Sequence, residues 1–296
     1  MYESISDRVG IVRGGTNIGI VRIDDAHVLL IDTGLNDTIA RKVLRSVKHE
    51  LGSEVAGILT THAHADHFGA HRFVVKRTGA LVFAPDLEEA VIRHPVMQPI
   101  LLYGGADPLD ALKGRFLLAE ASDVDQVLQR GSHDILGLSI DSIPLAGHSP
   151  NQFGFLVDDV FFSADVVFPT TAIEKYRLPY LFGLTAHLES LERSRAVACR
   201  AVVPGHGPLL ESIEPLVAEN RAVIERVIEK IGDILHEPKS SDDVCSALFR
   251  AMDVPVSDPQ SYYLLRPTIM AYLSHLERTK MIELMIDQKA ALWRRR

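Results

Sequence analysis

Residues 61–71 read Thr61-His62-Ala63-His64-Ala65-Asp66-His67-Phe68-Gly69-Ala70-His71, directly after the apolar run EVAGILT at 54–60. At the end of a strand, side chains two positions apart point the same way, so His62 and His64 can address one ion. The turn that follows carries Asp66 and His67 towards a second. Neutral imidazole nitrogen and carboxylate oxygen suit zinc, and also iron or manganese, because these borderline cations accept both donor types. Two coordination shells need more than four groups. Three further donors stand after apolar runs that read as strands: His148 in PLAGHSP, Asp165 at the end of VFFSAD, and His206 in VVPGHGP. Glycines beside His148 and His206 let the backbone turn sharply there. The other histidines (His27, His49, His71, His94, His133, His187, His236 and His275) read one by one as surface or hydrogen-bonded residues.

Working outward, the first third consists of short β-branched runs broken by Gly and Asp, as an antiparallel meander is. Asn36 or Asp37 caps a helix through IARKVLRSVKHEL, and EVAGILT returns as a strand, a βαβ-like step. A helix around FGAHRFVVKRTG and a strand at ALVFAP follow. The second half repeats the theme, with strands at LGLSIDSIPLAG, FGFLVDD, VFFSAD and AVVPG and a helix through TAHLESLERSRAV. This pattern predicts an α/β fold in four layers, αββα, with two mixed sheets face to face and helices outside. Between them, periodicity weakens over residues 85–125, a stretch expected to form a lid or substrate-facing insertion. Its apolar residues Val96, Met97, Ile100, Leu101 and Leu102 would line a pocket or staple the insertion to the body. A polar segment, HEPKSSDD at 236–243, marks a boundary between a domain at 1–235 and one at 236–296. The latter reads helix (SDDVCSALFRAM), helix (PTIMAYLSHLERTK), hairpin (MIELMIDQKAALWRR), the order of a winged-helix module.

The histidine and aspartate pattern resembles the metallo-β-lactamase superfamily, whose HxHxDH signature and three later ligands are matched at every position. LLIDTG adds to the likeness, because Asp32 stands where family members carry a buried carboxylate beneath the metal loop. The resemblance implies that His62, His64 and His148 hold a first metal, that Asp66, His67 and His206 hold a second, and that Asp165 bridges them. It implies a hydroxide shared by the two ions as nucleophile, with Asp66 orienting it or shuttling its proton and Asp165 completing the catalytic pair. With no cysteine ligand, the set looks most like the glyoxalase II and lactonase branch, which implies a hydrolase with two zinc ions acting on a thioester or lactone. Two alternatives reuse the fold: an endoribonuclease or phosphodiesterase, and an iron-dependent redox enzyme. The C-terminal unit resembles the winged helix that follows the catalytic domain in some relatives. Tyr176 and Tyr180, just after Asp165, are candidate substrate contacts.

Composition narrows the partners. The chain has 296 residues, 47% of them hydrophobic, enough for a substantial core. No apolar run reaches membrane-spanning length and the N-terminus lacks a signal-peptide pattern, so the reading is a cytoplasmic protein with no membrane partner. Cys199 and Cys245 are too few for a disulfide framework or a CxxC site. A net charge of −8 repels polyanions, and the basic residues of the C-terminal unit are offset by acidic ones, which argues for a small-molecule substrate and against nucleic acid. For that unit a packing or homodimer role is expected.

Overall fold

The structure, a computed structural model, describes residues 2–296. Its first sheet has seven strands in sequence order: β1 (Tyr2–Ser4), β2 (Val9–Val12), β3 (Ile18–Arg22), β4 (His27–Ile31), β5 (Glu54–Leu59), β6 (Leu81–Pro85) and β7 (Gln126–Leu128). Pairing is antiparallel from β1 to β4 and parallel from β4 to β7, as the meander followed by βαβ steps requires. The second sheet runs β8 (Gly131–Ile135), β9 (Leu138–Pro144), β10 (Phe153–Val157), β11 (Val160–Ala164) and β12 (Ala201–Pro204), antiparallel except for the pair β11 and β12. Both sheets are therefore mixed, as expected.

Alternation along the strands divides the interior into layers. In β4, Leu29 and Ile31 face the space between the sheets, where they meet Phe153, Phe155 and Phe162, whereas Val28 and Leu30 face outward. The outward set is covered by α1 (Asp37–Glu50), through Ala40, Val43 and Val47, and by α3 (His71–Thr78), through Val74. Asn36 caps α1, its side chain accepting from the amides of Thr38 and Ile39. One turn of helix, α2 (Ala65–Phe68), precedes α3 and carries Asp66 and His67. On the other side, Phe161 of β11 packs under α7 (Leu184–Arg195) and α8 (Glu214–Ile234).

The stretch 85–125 holds two short helices, α4 (Glu88–Arg93) and α5 (Met97–Leu102), and a 3-10 turn at Asp110–Leu112. Leu102 is buried in a satellite core with Leu112, Leu117 and Tyr180, so it fastens the insertion; Val96, Met97 and Leu101 remain exposed. After Asp165 comes α6 (Thr170–Tyr176).

C-terminal to α8 come α9 (Ser241–Ala251), α10 (Pro259–Arg278) and the hairpin β13 (Ile282–Asp287) with β14 (Ala290–Arg295), which is the expected order. The second helix differs from expectation in where it starts. It begins eight residues before Pro267, because Asp258 and Ser261 form a reciprocal capping box and Pro259 takes the first turn, leaving Pro267 in the helix interior. One apolar core joins α8, α9, α10 and Trp293 to Leu145 and Phe161 of the second sheet region. Among the described residues no helix is long and apolar enough to cross a membrane.

Candidate metal centre

Parallel pairing decides where the polar side chains emerge. β4 and β5 run parallel, so Asp32 and the run beginning at His62 leave the first sheet at the same end. β11 and β12 do the same for Asp165 and His206 in the second sheet. The two ends are bound together: Phe153 N donates to Thr61 O at 3.0 Å and Asn17 N to Gly205 O at 2.8 Å. All seven predicted donors meet in that cleft, beyond the carboxyl ends of the strands.

His64 Nδ1 lies 3.1 Å from His62 Nε2 and 2.8 Å from His148 Nε2. Opposite them, His206 Nε2 lies 3.3 Å from Asp66 Oδ2, and His67 Nε2 lies 3.9 Å from the same oxygen. Asp165 stands between the two sets: its Oδ1 is 3.5 Å from His67 Nε2, and its Oδ2 is 3.4 Å from His148 Nε2 and 3.2 Å from His206 Nε2. Three groupings (His62, His64, His148; His62, His67, Asp165; Asp66, His67, His206) each bring one donor atom per residue within 4.8 Å of one another.

In four of the five histidines the other ring nitrogen has a partner of its own, which fixes which nitrogen faces the centre. His67 Nδ1 meets Asp32 Oδ2 at 2.7 Å, His62 Nδ1 meets Thr61 Oγ1 at 3.0 Å, His148 Nδ1 meets the carbonyl of Tyr180 at 3.1 Å, and His206 Nδ1 meets the carbonyl of Gly15. At the centre itself, His67 Nε2 and Asp165 Oδ1 are buried without any hydrogen-bond partner, a costly state for the polypeptide alone. Charge points the same way. Burial lowers His64 to about 4 and His148 to about 3, so both are neutral donors at pH 7. Asp165 raises His206 to about 12, and at His67 Asp165 and the other carboxylates outweigh burial and raise the ring to about 10. Positive charge is thus drawn to the position between the carboxylates, which is what divalent cations supply. An all-nitrogen and oxygen donor set with orphaned atoms turned inward fits such ions.

The chain matches the metallo-beta-lactamase superfamily over residues 11–206, a span that contains the whole donor set. It belongs to that superfamily. A hydroxyacylglutathione hydrolase of Shewanella pealeana is 22% identical over 267 residues, which is 82% of this chain and 88% of that protein. An atrochrysone carboxyl ACP thioesterase of Aspergillus fumigatus is 26% identical over 215 residues, 69% of this chain and 55% of the relative. A solved beta-lactamase domain protein from Burkholderia ambifaria shares the fold with a TM-score of 0.79 at 19% identity, covering 100% of this chain and 94% of its own. The protein is accordingly a metallo-beta-lactamase superfamily hydrolase.

Within this superfamily site, Asp32 does more than form a turn. It sits at φ 63° and, through both oxygens, accepts from Thr61 N, Thr61 Oγ1 (each 2.8 Å) and His67 Nδ1. Replacing it with asparagine should weaken metal affinity about 10- to 100-fold while leaving the circular dichroism spectrum intact, because the amide cannot hold His67 in the same tautomer. A chelator-competition titration checks this, and an unchanged affinity would refute the role. Tyr180 is brought to the site, its ring centroid 5.4 Å from that of His64, and burial pushes its hydroxyl up to about 12. Tyr176 is not: it is half-exposed at the end of α6 and its hydroxyl meets Lys175 Nζ at 3.0 Å. His71 and His187 are fully buried and held neutral by that burial; His71 is hydrogen-bonded as expected, its Nε2 3.3 Å from Thr60 Oγ1, and both lie outside the three donor groupings.

Sequence reasoning missed three supports, Thr16, Asn17 and Glu88, and the main role of a fourth residue, Gly205. Thr16 Oγ1 donates to the Asp66 carbonyl at 2.8 Å, and Asn17 Nδ2 donates to the carbonyls of Pro204 and Gly207 at 2.9 Å each, so the loop between β2 and β3 clamps the Asp66 and His206 segments. Gly205 has no room for a side chain beside Asp165. Glu88 is a buried acid in a stretch that reads as irregular. Thr16, Asn17 and Glu88 carry no local pattern, and that an isolated acid is buried becomes visible only once its partners are.

Proposed function

We propose that this hydrolase cleaves an ester-like bond of a small molecule, a thioester or lactone, with two zinc ions held by His62, His64 and His148 on one side and Asp66, His67 and His206 on the other. The observation that carries the reading is the carboxylate of Asp165, placed between the two sets so that it can serve both. One relative is named a hydroxyacylglutathione hydrolase and another an ACP thioesterase, which favours the thioester. Bound divalent ions would supply Lewis acidity for a carbonyl oxygen and lower the pKa of water to about 7.

The chain's own residues do the rest. Asp66 is the carboxylate of the set that opens to solvent, with a 39% exposed side chain, and it is placed to orient an attacking water. Tyr180 stays protonated at neutral pH and offers its hydroxyl hydrogen to an acyl oxygen at the His64 and His148 side. Asp165, buried at the floor, keeps both sets in register.

Protein purified without added metal should contain about two equivalents of zinc, with iron or manganese as the alternatives that metal analysis would reveal. Chelation should abolish turnover and lower the melting temperature, since ligand at a hundredfold excess over its Kd stabilises by about 2.7 kcal/mol. A panel of thioesters, lactones, phosphodiesters and single-stranded RNA decides the substrate. Turnover of RNA or phosphodiesters with inert thioesters and lactones would overturn this proposal.

A further inference from the structure

Glu88 opens α4 with only 2% of its surface exposed, yet it is an acid with no cation beside it. Its Oε2 accepts from Ala63 N at 2.8 Å, and its Oε1 accepts from Ser149 Oγ at 2.6 Å and Asn151 N at 2.8 Å. Ala63 lies between His62 and His64, and Ser149 follows His148, so one carboxylate grips both loops that deliver these three histidines. Asn151 reinforces the grip, its Nδ2 donating to the carbonyl of Asp86 at 2.9 Å. On the other side of Glu88, Leu87 is held at φ 67° and ψ −43°, a backbone state that a leucine adopts only when its surroundings over-determine it. All three partners of the carboxylate present hydrogens. Only an acceptor-only group satisfies them together.

The other half of the centre has separate supports. Asp66, His67 and His206 are tied by Thr16 Oγ1, Asp32 and the Gly15 carbonyl, and none of these contacts involves Glu88.

We infer that Glu88 is a positioning residue that holds His62, His64 and His148 as one unit, so that the first ion's affinity depends on its carboxylate while the second ion's does not. This rests on the two-ion reading of the site. It also makes α4 the anchor that joins the insertion at 85–125 to the metal loops. Glutamine at this position would keep one oxygen but set its NH2 against the hydrogen of Ala63 N or those of Ser149 and Asn151, forcing the two loops apart.

The test is zinc stoichiometry and stepwise affinity of the full chain, measured by competition with a chromophoric chelator, for wild type, Glu88→Gln, Glu88→Asp and Ser149→Ala. Wild type should bind two ions. Glu88→Gln should keep one at wild-type affinity and weaken the other about 10- to 100-fold. Glu88→Asp should recover part of the loss, because it restores an acceptor-only carboxylate, and cobalt substituted for zinc should show an altered absorption spectrum at one site only. Should Glu88→Gln fail to fold, Ser149→Ala removes one of the three contacts and should weaken the same single ion by a smaller factor. Equal weakening of both ions, or of neither, overturns the inference alone. A wild type that binds a single ion overturns the two-ion reading and this inference with it.

Discussion

Asp165→Asn is expected to lower both kcat/KM and metal affinity by about two to four orders of magnitude with little change in secondary structure. The carboxylate is 3% exposed, its Oδ1 has no hydrogen-bond partner, and its two oxygens face three imidazoles from both halves of the centre. An amide has a similar shape but carries no charge and turns hydrogens towards one set of donors. Removing one member of a buried charged group costs about 3–5 kcal/mol, and each 1.36 kcal/mol is tenfold. The backbone around Asp165 should survive, since its amide is held by Gln152 Oε1 at 3.2 Å and Gly205 N donates to the Ala164 carbonyl at 2.8 Å. Steady-state kinetics and metal analysis on the same preparation check this. Activity within tenfold of wild type would remove Asp165 from the centre.

The second large effect comes from a residue that touches no substrate. A Cβ at position 205 would stand 1.9 Å from Asp165 Oδ1 and 3.1 Å from His67 Cε1. Neither neighbour has room to retreat, because both are buried in the donor set, and the backbone at 205 is pinned by hydrogen bonds to Ala164 and Asn17. Gly205→Ala should therefore displace Asp165, costing about 1–3 kcal/mol of stability from overpacking and more than about a hundredfold in kcat/KM. Gly232→Ala is the matching control: nothing lies within 4 Å of its added Cβ, and in the interior of α8 alanine should stabilise by about 0.5–1 kcal/mol with activity unchanged. Equal behaviour of the two variants in thermal unfolding and turnover would refute the steric argument.

These two cases mark different degrees of legibility. Asp165 announces itself, because an aspartate at the end of an apolar run, joined to a dense histidine string, is a pattern of residue types in one dimension. Gly205 was legible as a glycine beside a histidine, and the sharp turn expected of it is the lesser part of its role. Its conformation is ordinary, and what requires glycine is the close approach of Asp165, which comes from a strand forty residues earlier. Tyr176 and Tyr180 look alike in EKYRLPYLFG, yet only Tyr180 reaches the histidines, because α6 ends between them and the chain turns at Arg177 with φ 63°.

The sequence by itself determined the alternation that sorts Leu29 from Leu30 into different layers, the cap that starts α1, and the choice of seven candidate donors. These are local matters, set by periodicity and side-chain chemistry along a few residues. Only the tertiary structure decided that Asp32 reaches across to Thr61 and His67, and that Glu88 ties two loops more than eighty residues apart. Such supports arise where distant segments meet in a water-poor space, and there a lone polar group is stable only if the fold brings it a partner.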